Sequence, residues 1–183
     1  MPVRPNFNPD YLYFVTSTAV EHFHLFQQDS IKRILVDSLH FLRTKRRMNL
    51  YVFVIMPNHI HFIARFSKEY KLSDGLRDFK RHTARCILRE LCAQRATHTL
   101  TLLRQTINDP RQEYKVWEAG YDARDIFSVE FLQQKMDYIH WNPCQLKWKL
   151  TSVPEDYLWS SAPFYVAGKS TIIPIDDVRS LFV

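Results

Sequence analysis

The chain has 183 residues, 46% of them hydrophobic and 14% aromatic, which suits one packed domain with its own core and excludes a disordered chain. A net charge of +6 favours an anionic partner, nucleic acid above all, and three glycines leave no GxGxxG or GxxxxGK[ST] cradle for a nucleotide. The odd set Cys86, Cys92 and Cys144 contains no CxxC pair and suits a reduced, cytosolic compartment; no signal-peptide segment and no run of ~20 apolar residues is present, so no membrane partner is expected.

Residues 1–10, rich in Pro and Asn, read as an extended arm, and Tyr11 to Val20, aromatic and β-branched, as a first strand. Asp29 or Ser30 caps a predicted helix to about Arg47, with Ile31, Ile34, Leu35, Leu39 and Leu42 at helical spacing. Leu50 to Met56 and His59 to Phe66 form two strands around a tight Pro57-Asn58 turn. Ser73 caps a long helix to at least Cys92, whose inner stripe includes Leu76, Phe79, Cys86 and Ile87. Residues 94–112 read as a polar, irregular connection ending in Asn108-Asp109-Pro110, and Lys115 to Ile126 as short strand pieces broken at Gly120. Ser128 caps a third helix through Trp141, stopped by Pro143; the last forty residues read as an irregular tail pinned by Trp148, Tyr157, Trp159 and Phe164. The order β-α-β-β-α-β-α indicates a single α+β domain with helices packed on an antiparallel sheet: arm 1–10, core 11–142, tail 143–183.

His59-Ile60-His61 on a strand places both imidazoles on one face and Ile60 toward the core, half of a metal site. On the third helix Tyr138 and Asn142 are four apart and share a face. If that face meets the histidine strand, three ligands (His59, His61, Asn142) leave open positions for a substrate phosphate, and Tyr138 becomes an oxygen nucleophile beside a polarised phosphorus.

The apolar run before Pro57, the His59-Ile60-His61 motif, Tyr138-Ile139-x-x-Asn142-Pro143 and Pro154-Glu155-Asp156-Tyr157-x-Trp159-Ser160-Ser161 together resemble the REP-associated tyrosine transposases. These belong to the single-tyrosine HUH transposases of small insertion sequences. The resemblance spans about residues 11–165. It implies a ferredoxin-like (RRM-like) core and a metal-dependent DNA transposase acting on single-stranded or hairpin DNA of a repetitive palindromic element. It implies Tyr138 as the nucleophile that forms a 5′-phosphotyrosine link and frees a 3′-hydroxyl, and His59, His61 and Asn142 as metal ligands. The implied cofactor is Mg²⁺ or Mn²⁺, although two imidazoles would hold Mn²⁺, Ni²⁺ or Zn²⁺ more tightly. The tail resembles that of members that complete the site within one chain, which favours a monomer over a homodimer; the implied location is cytoplasmic, on the nucleoid. The competing readings are a catalytically silent hairpin-binding protein and a metal-dependent hydrolase without a covalent step.

His22-Phe23-His24 repeats the histidine spacing without a tyrosine helix and reads as structural or solvent-facing. Gln134, one turn before Tyr138, is an alternative ligand; Asp122 and Asp125 could reach a metal from a neighbouring strand but read as surface groups. Asp137 and His140 point away from the tyrosine face. Arg77, Arg81, Arg85 and Arg89 recur every four residues and form a basic ridge that would track a DNA backbone. Trp148 could stack on unpaired bases.

Overall fold

The computed structural model describes residues 7–107 and 113–182. Four strands, β1 (Leu12–Thr18), β2 (Met48–Ile55), β3 (His59–Phe66) and β4 (Asp122–Ile126), form one antiparallel sheet in the order β2-β3-β1-β4. Between them run the helices α1 (Asp29–Thr44), α2 (Leu72–Ala93) and α3 (Thr97–Gln105), followed by α4 (Val129–Trp141) and α5 (Ala162–Ala167). This is the ferredoxin-like arrangement expected.

Strand alternation divides the sheet into two faces. Ile60, Phe62 and Phe66 of β3 turn toward α1 and α2, which pack against each other, and all three are buried. Gly75 of α2 lies so close to Phe66 that a Cβ there would stand 2.6 Å from its ring. His59, His61 and Arg65 therefore occupy the opposite face, which α4 covers. The β2–β3 hairpin closes as expected through Pro57-Asn58, with the Met56 N–H donating to the His59 carbonyl at 2.8 Å. Both turn carbonyls are taken up by the segment after β1: Ala19 N–H donates to Asn58 and Phe26 N–H to Pro57, each at 2.8 Å.

Several boundaries differ from the sequence expectation. α1 ends at Thr44, because Arg46 adopts a left-handed conformation (φ 53°) that turns the chain into β2. The caps expected of Asp29 or Ser30 and of Ser73 are not formed: Gln28 and Lys71 occupy the N-cap positions without a side-chain hydrogen bond, while Asp29 pairs with Lys32 at 3.1 Å. Ser128 caps α4 as expected, accepting from the Phe131 N–H at 3.1 Å. Cys86 is only half-buried. The connection expected to be irregular contains α3: its threonines have weak helix propensity, but burying Leu103 completely against the domain overrides it. Asn108-Asp109-Pro110 lies outside the described residues.

The tail is more ordered than its prolines suggest. It lies along the free edge of β2, where Ile55 N–H donates to Trp159, Ser161 N–H to Phe53 and Asp176 N–H to Leu50, at 2.7–2.9 Å. The Tyr157 hydroxyl donates to the Ile55 carbonyl at 2.7 Å. An edge strand covered in this way cannot template pairing with another chain; the other edge, β4, is five residues long and carries Asp122, Arg124 and Asp125. Among the described residues no helix is long and apolar enough to cross a membrane.

Candidate active site

The face of the sheet under α4 gathers the residues of the two motifs. The His59 and His61 ring centroids are 4.5 Å apart, and the Tyr138 ring lies 5.2 Å from that of His61. Phe14, on the neighbouring β1, stacks on His61 at 5.4 Å and meets Tyr138 edge-on at 6.1 Å. Tyr138 remains 42% exposed. Within this chain α4 packs over the strands that carry the histidines.

Each imidazole is held through Nδ1. Asn58 donates from its carboxamide nitrogen to the His22 carbonyl at 3.1 Å, which fixes the amide and leaves Oδ1 facing His59 Nδ1 at 2.6 Å. A carboxamide oxygen only accepts, so Nδ1 of His59 carries the proton and Nε2 keeps its lone pair. His61 Nδ1 lies 2.8 Å from the Thr16 hydroxyl, and its Nε2 is buried with no hydrogen-bond partner. Burial pushes His59 down to about 4, with Lys147 and His22 acting in the same direction, and pushes His61 well below the ordinary imidazole range, with His59, Lys135 and Lys147 acting in the same direction. Both rings are therefore neutral at pH 7, the protonation state in which an imidazole coordinates a metal.

Asn142, 1% exposed at the C-terminal end of α4, has the same character: its Oδ1 is buried and unpartnered. Orphaned buried acceptors of this kind carry a desolvation cost that a ligand removes. Among the described residues no group of three or more His, Cys, Asp or Glu side chains could hold a metal. The donor set His59 Nε2, His61 Nε2 and Asn142 Oδ1 fits a divalent cation in chemistry.

The other candidates separate from this centre. Asp122 falls in the same cross-strand row as Thr16 and His61 but lies one strand beyond Thr16 and pairs with Arg124 at 3.7 Å. Asp125 pairs in register with Tyr13 and so faces the α1–α2 side. Gln134 is exposed. His22 and His24 are exposed, as expected; His22 nevertheless orients the site through its carbonyl, and the His24 ring lies 5.5 Å from Trp148, which in turn lies 5.8 Å from His59. His140 points into the tail, 2.9 Å from the Ser161 hydroxyl, and Asp137 accepts from Gln133 at 2.9 Å. Arg77, Arg81, Arg85 and Arg89 are all exposed, Arg77 bound to Asp74 and Asp78 at 2.8 and 3.3 Å. Their helix lies across the sheet from the histidines, so the ridge and the candidate centre are on opposite layers.

Sequence reasoning missed three side chains. Thr16 and Asn58 become visible only through strand register and turn geometry. Lys135 had a signal, since it stands three residues before Tyr138 on the same helical face. Its ammonium lies 5.1, 5.0 and 5.8 Å from the ring centroids of Phe14, Phe131 and Tyr138, with no carboxylate partner among the described residues.

Comparison with known proteins agrees with this architecture. No curated protein matches the chain. The structure of a REP-associated tyrosine transposase bound to a REP hairpin superposes with a TM-score of 0.67 at 17% identity, over 97% of this chain and 93% of that one, a likeness of fold. A crystal structure of a transposase candidate from Deinococcus radiodurans R1 gives a TM-score of 0.46 at 16% identity, over 76% of this chain and 93% of that one. The model of the family "Transposase IS200 like" matches residues 11–142, from the first strand to the residue that closes the tyrosine helix. The chain belongs to the IS200-like transposases.

Proposed function

We propose that this transposase cuts and rejoins single-stranded DNA next to hairpins of a repetitive palindromic element, through a covalent link to Tyr138. The observation that carries the reading is the open Tyr138 ring 5.2 Å from a histidine whose Nε2 is buried, neutral and unpartnered. The fold-level neighbour bound to a REP hairpin supports hairpin DNA as the substrate class.

His59 and His61 through Nε2, with Asn142 through Oδ1, would hold Mg²⁺ or Mn²⁺. When bound, the cation polarises the scissile phosphate. Tyr138 Oη attacks phosphorus: the Oη–P bond forms and the P–O3′ bond breaks. The phenol proton passes to water, and the departing 3′-oxygen takes one from water, giving a 5′-phosphotyrosine and a free 3′-hydroxyl. The bond energy is conserved in the phosphodiester, so a second 3′-hydroxyl can reverse the step. Lys135, unpaired beside the nucleophile, supplies positive charge at the attacked phosphate. Trp148, tilted against His59, offers a surface for an unpaired base. The arginine ridge of α2 would meet the DNA only beyond an edge of the sheet, so it acts on affinity and not on cleavage. The tail along β2 and the site assembled within one chain favour a monomer.

The test is incubation of a labelled REP-type hairpin having a single-stranded flank with the protein and Mn²⁺, read on a denaturing gel. A covalent protein–DNA band is expected, abolished in Tyr138→Phe. Cleavage that survives Tyr138→Phe means a hydrolase without a covalent step, and binding without cleavage means a silent hairpin-binding protein.

A further inference from the structure

Phe127 is 78% exposed, more than is usual for a phenylalanine in a folded domain, and the centre described above does not use it. It precedes the N-cap of α4, where an apolar residue commonly packs on the helix to fix its entry. Here it leaves most of its surface in water, so that role does not account for it. Its ring stacks on Phe131, with centroids 5.3 Å apart and planes 13° from parallel. From Phe131 the row continues to Lys135, whose ammonium sits 5.0 Å from the Phe131 ring, and then to Tyr138. Positions 131, 135 and 138 follow one face of α4, Phe127 joins them through its stack on Phe131, and the acids Glu130 and Asp137 fall off that face. The helical part of the row, Phe131 to Tyr138, is about 10 Å long at ~1.5 Å per residue. Beside Phe127 opens a groove of about 250 Å³ lined by Tyr11, Arg65, Leu132 and Phe182. Arg65, half-buried, lines both this groove and a neighbouring cavity with Arg43 and Arg46, and its Nε has no hydrogen-bond partner.

We infer that this row is the track on which unpaired nucleotides flanking the cleavage site lie, resting on the reading of Tyr138 given above. A base stacks on the exposed ring of Phe127, which Phe131 backs, and a backbone phosphate reaches Arg65. Exposed aromatics interleaved with cations are what sequence-tolerant recognition of single strands requires, since every base presents a π-face and every nucleotide a phosphate. The row is continuous with the nucleophile, so it takes the strand as it leaves the reacting phosphate and sets how many unpaired residues separate hairpin from cut.

The test compares two DNAs, a blunt hairpin and the same hairpin with a four-nucleotide single-stranded extension carrying 2-aminopurine, titrated with the full-length protein in EDTA so that nothing is cut. Phe127→Ser should weaken binding of the extended hairpin about tenfold, the size expected for loss of one stacked base. It should leave the blunt hairpin unchanged and relieve the 2-aminopurine quenching, and Phe127→Trp should restore both. Equal loss on both DNAs, no loss on either, or wild-type protein that binds the two alike overturns the assignment. So does sedimentation showing that Phe127→Ser converts a dimer into a monomer with the same affinity per protomer, which would make the patch a self-association surface. Because no cleavage is measured, failure of the covalent-complex test leaves this readout intact.

Discussion

Acid should destabilise this protein well above the pH at which its carboxylates titrate, and His140 is the residue through which to show it. Burial holds both His140 and His59 down to about 4, against 6.5 for a free imidazole. The unfolded chain therefore binds more protons than the folded one below pH 6.5, and the stability contributed by the neutral buried rings is lost as pH falls from 6.5 toward 4. At pH 4.5 the loss amounts to about 2.5 kcal/mol for each imidazole, or about 5 kcal/mol for the two, a large share of a typical domain stability of ~5–15 kcal/mol. His61, also lowered, adds to the loss in the same direction. His140 isolates the effect because it lies away from the candidate metal centre, 2.9 Å from the Ser161 hydroxyl that also accepts from the Phe53 N–H at 3.0 Å. Glutamine keeps a hydrogen-bonding head and does not titrate. Urea denaturation in EDTA at pH 7 and pH 4.5 should show His140→Gln losing about 2.5 kcal/mol less than wild type between the two, with an unchanged m-value. Because the carboxylates are common to both proteins, they cancel in that difference. A variant with the same pH dependence as wild type would refute the argument that His140 is buried in its neutral form.

Two further outcomes test how the site and the core are built. Asn58→Leu should weaken Mn²⁺ binding by about 10–100-fold in isothermal titration, the usual effect of losing the partner that orients a ligating histidine, while Asn58→Asp should retain it; unchanged affinity in Asn58→Leu means that Nδ1 of His59 needs no acceptor. Gly75→Ala should destabilise the fold by about 1–3 kcal/mol, because the new methyl would stand 2.6 Å from the Phe66 ring and force it aside; a melting temperature equal to wild type shows that the α2–β3 packing yields without cost.

The sheet, its hairpin and the three principal helices were legible because each rests on local chemistry. A strand of alternating faces, a Pro-Asn turn and a Ser cap are written within a few residues. What local pattern could not reach depended on distant partners. Leu103 makes α3 a helix by packing, not by propensity. Trp159 and Ser161 become an edge-covering segment because the free edge of β2 presents the Ile55 N–H and the Phe53 carbonyl beside them. The candidate centre divides in the same way. His59, His61, Tyr138 and Asn142 were legible as spacings, whereas Thr16 reaches His61 only through the β1–β3 register, and Asn58 acts through the carbonyl of His22, thirty-six residues away.

The basic helix shows which inference periodicity leaves unfinished. The four-residue spacing of Arg77, Arg81, Arg85 and Arg89 tells that they share one side of α2, but not which layer of the molecule that side belongs to. The layer was within reach. β1 and β2 run parallel in the observed order, as do β3 and β4, and the right-handed crossover rule places the helices that join such pairs, α1 and α2, on one face of the sheet. With Ile60 turned toward that face, His59 and His61 must look away from it. Chain direction and strand order thus assign the arginines to the far side before any side chain is placed. Cationic and aromatic groups that share the tyrosine's layer are Lys135 and Phe131 of α4, Phe127 just before it, Phe14 of β1 and Trp148. A helix that carries the proposed nucleophile is also the element most able to lead a strand to it, since the seven residues from Phe131 to Tyr138 keep a rigid helical spacing.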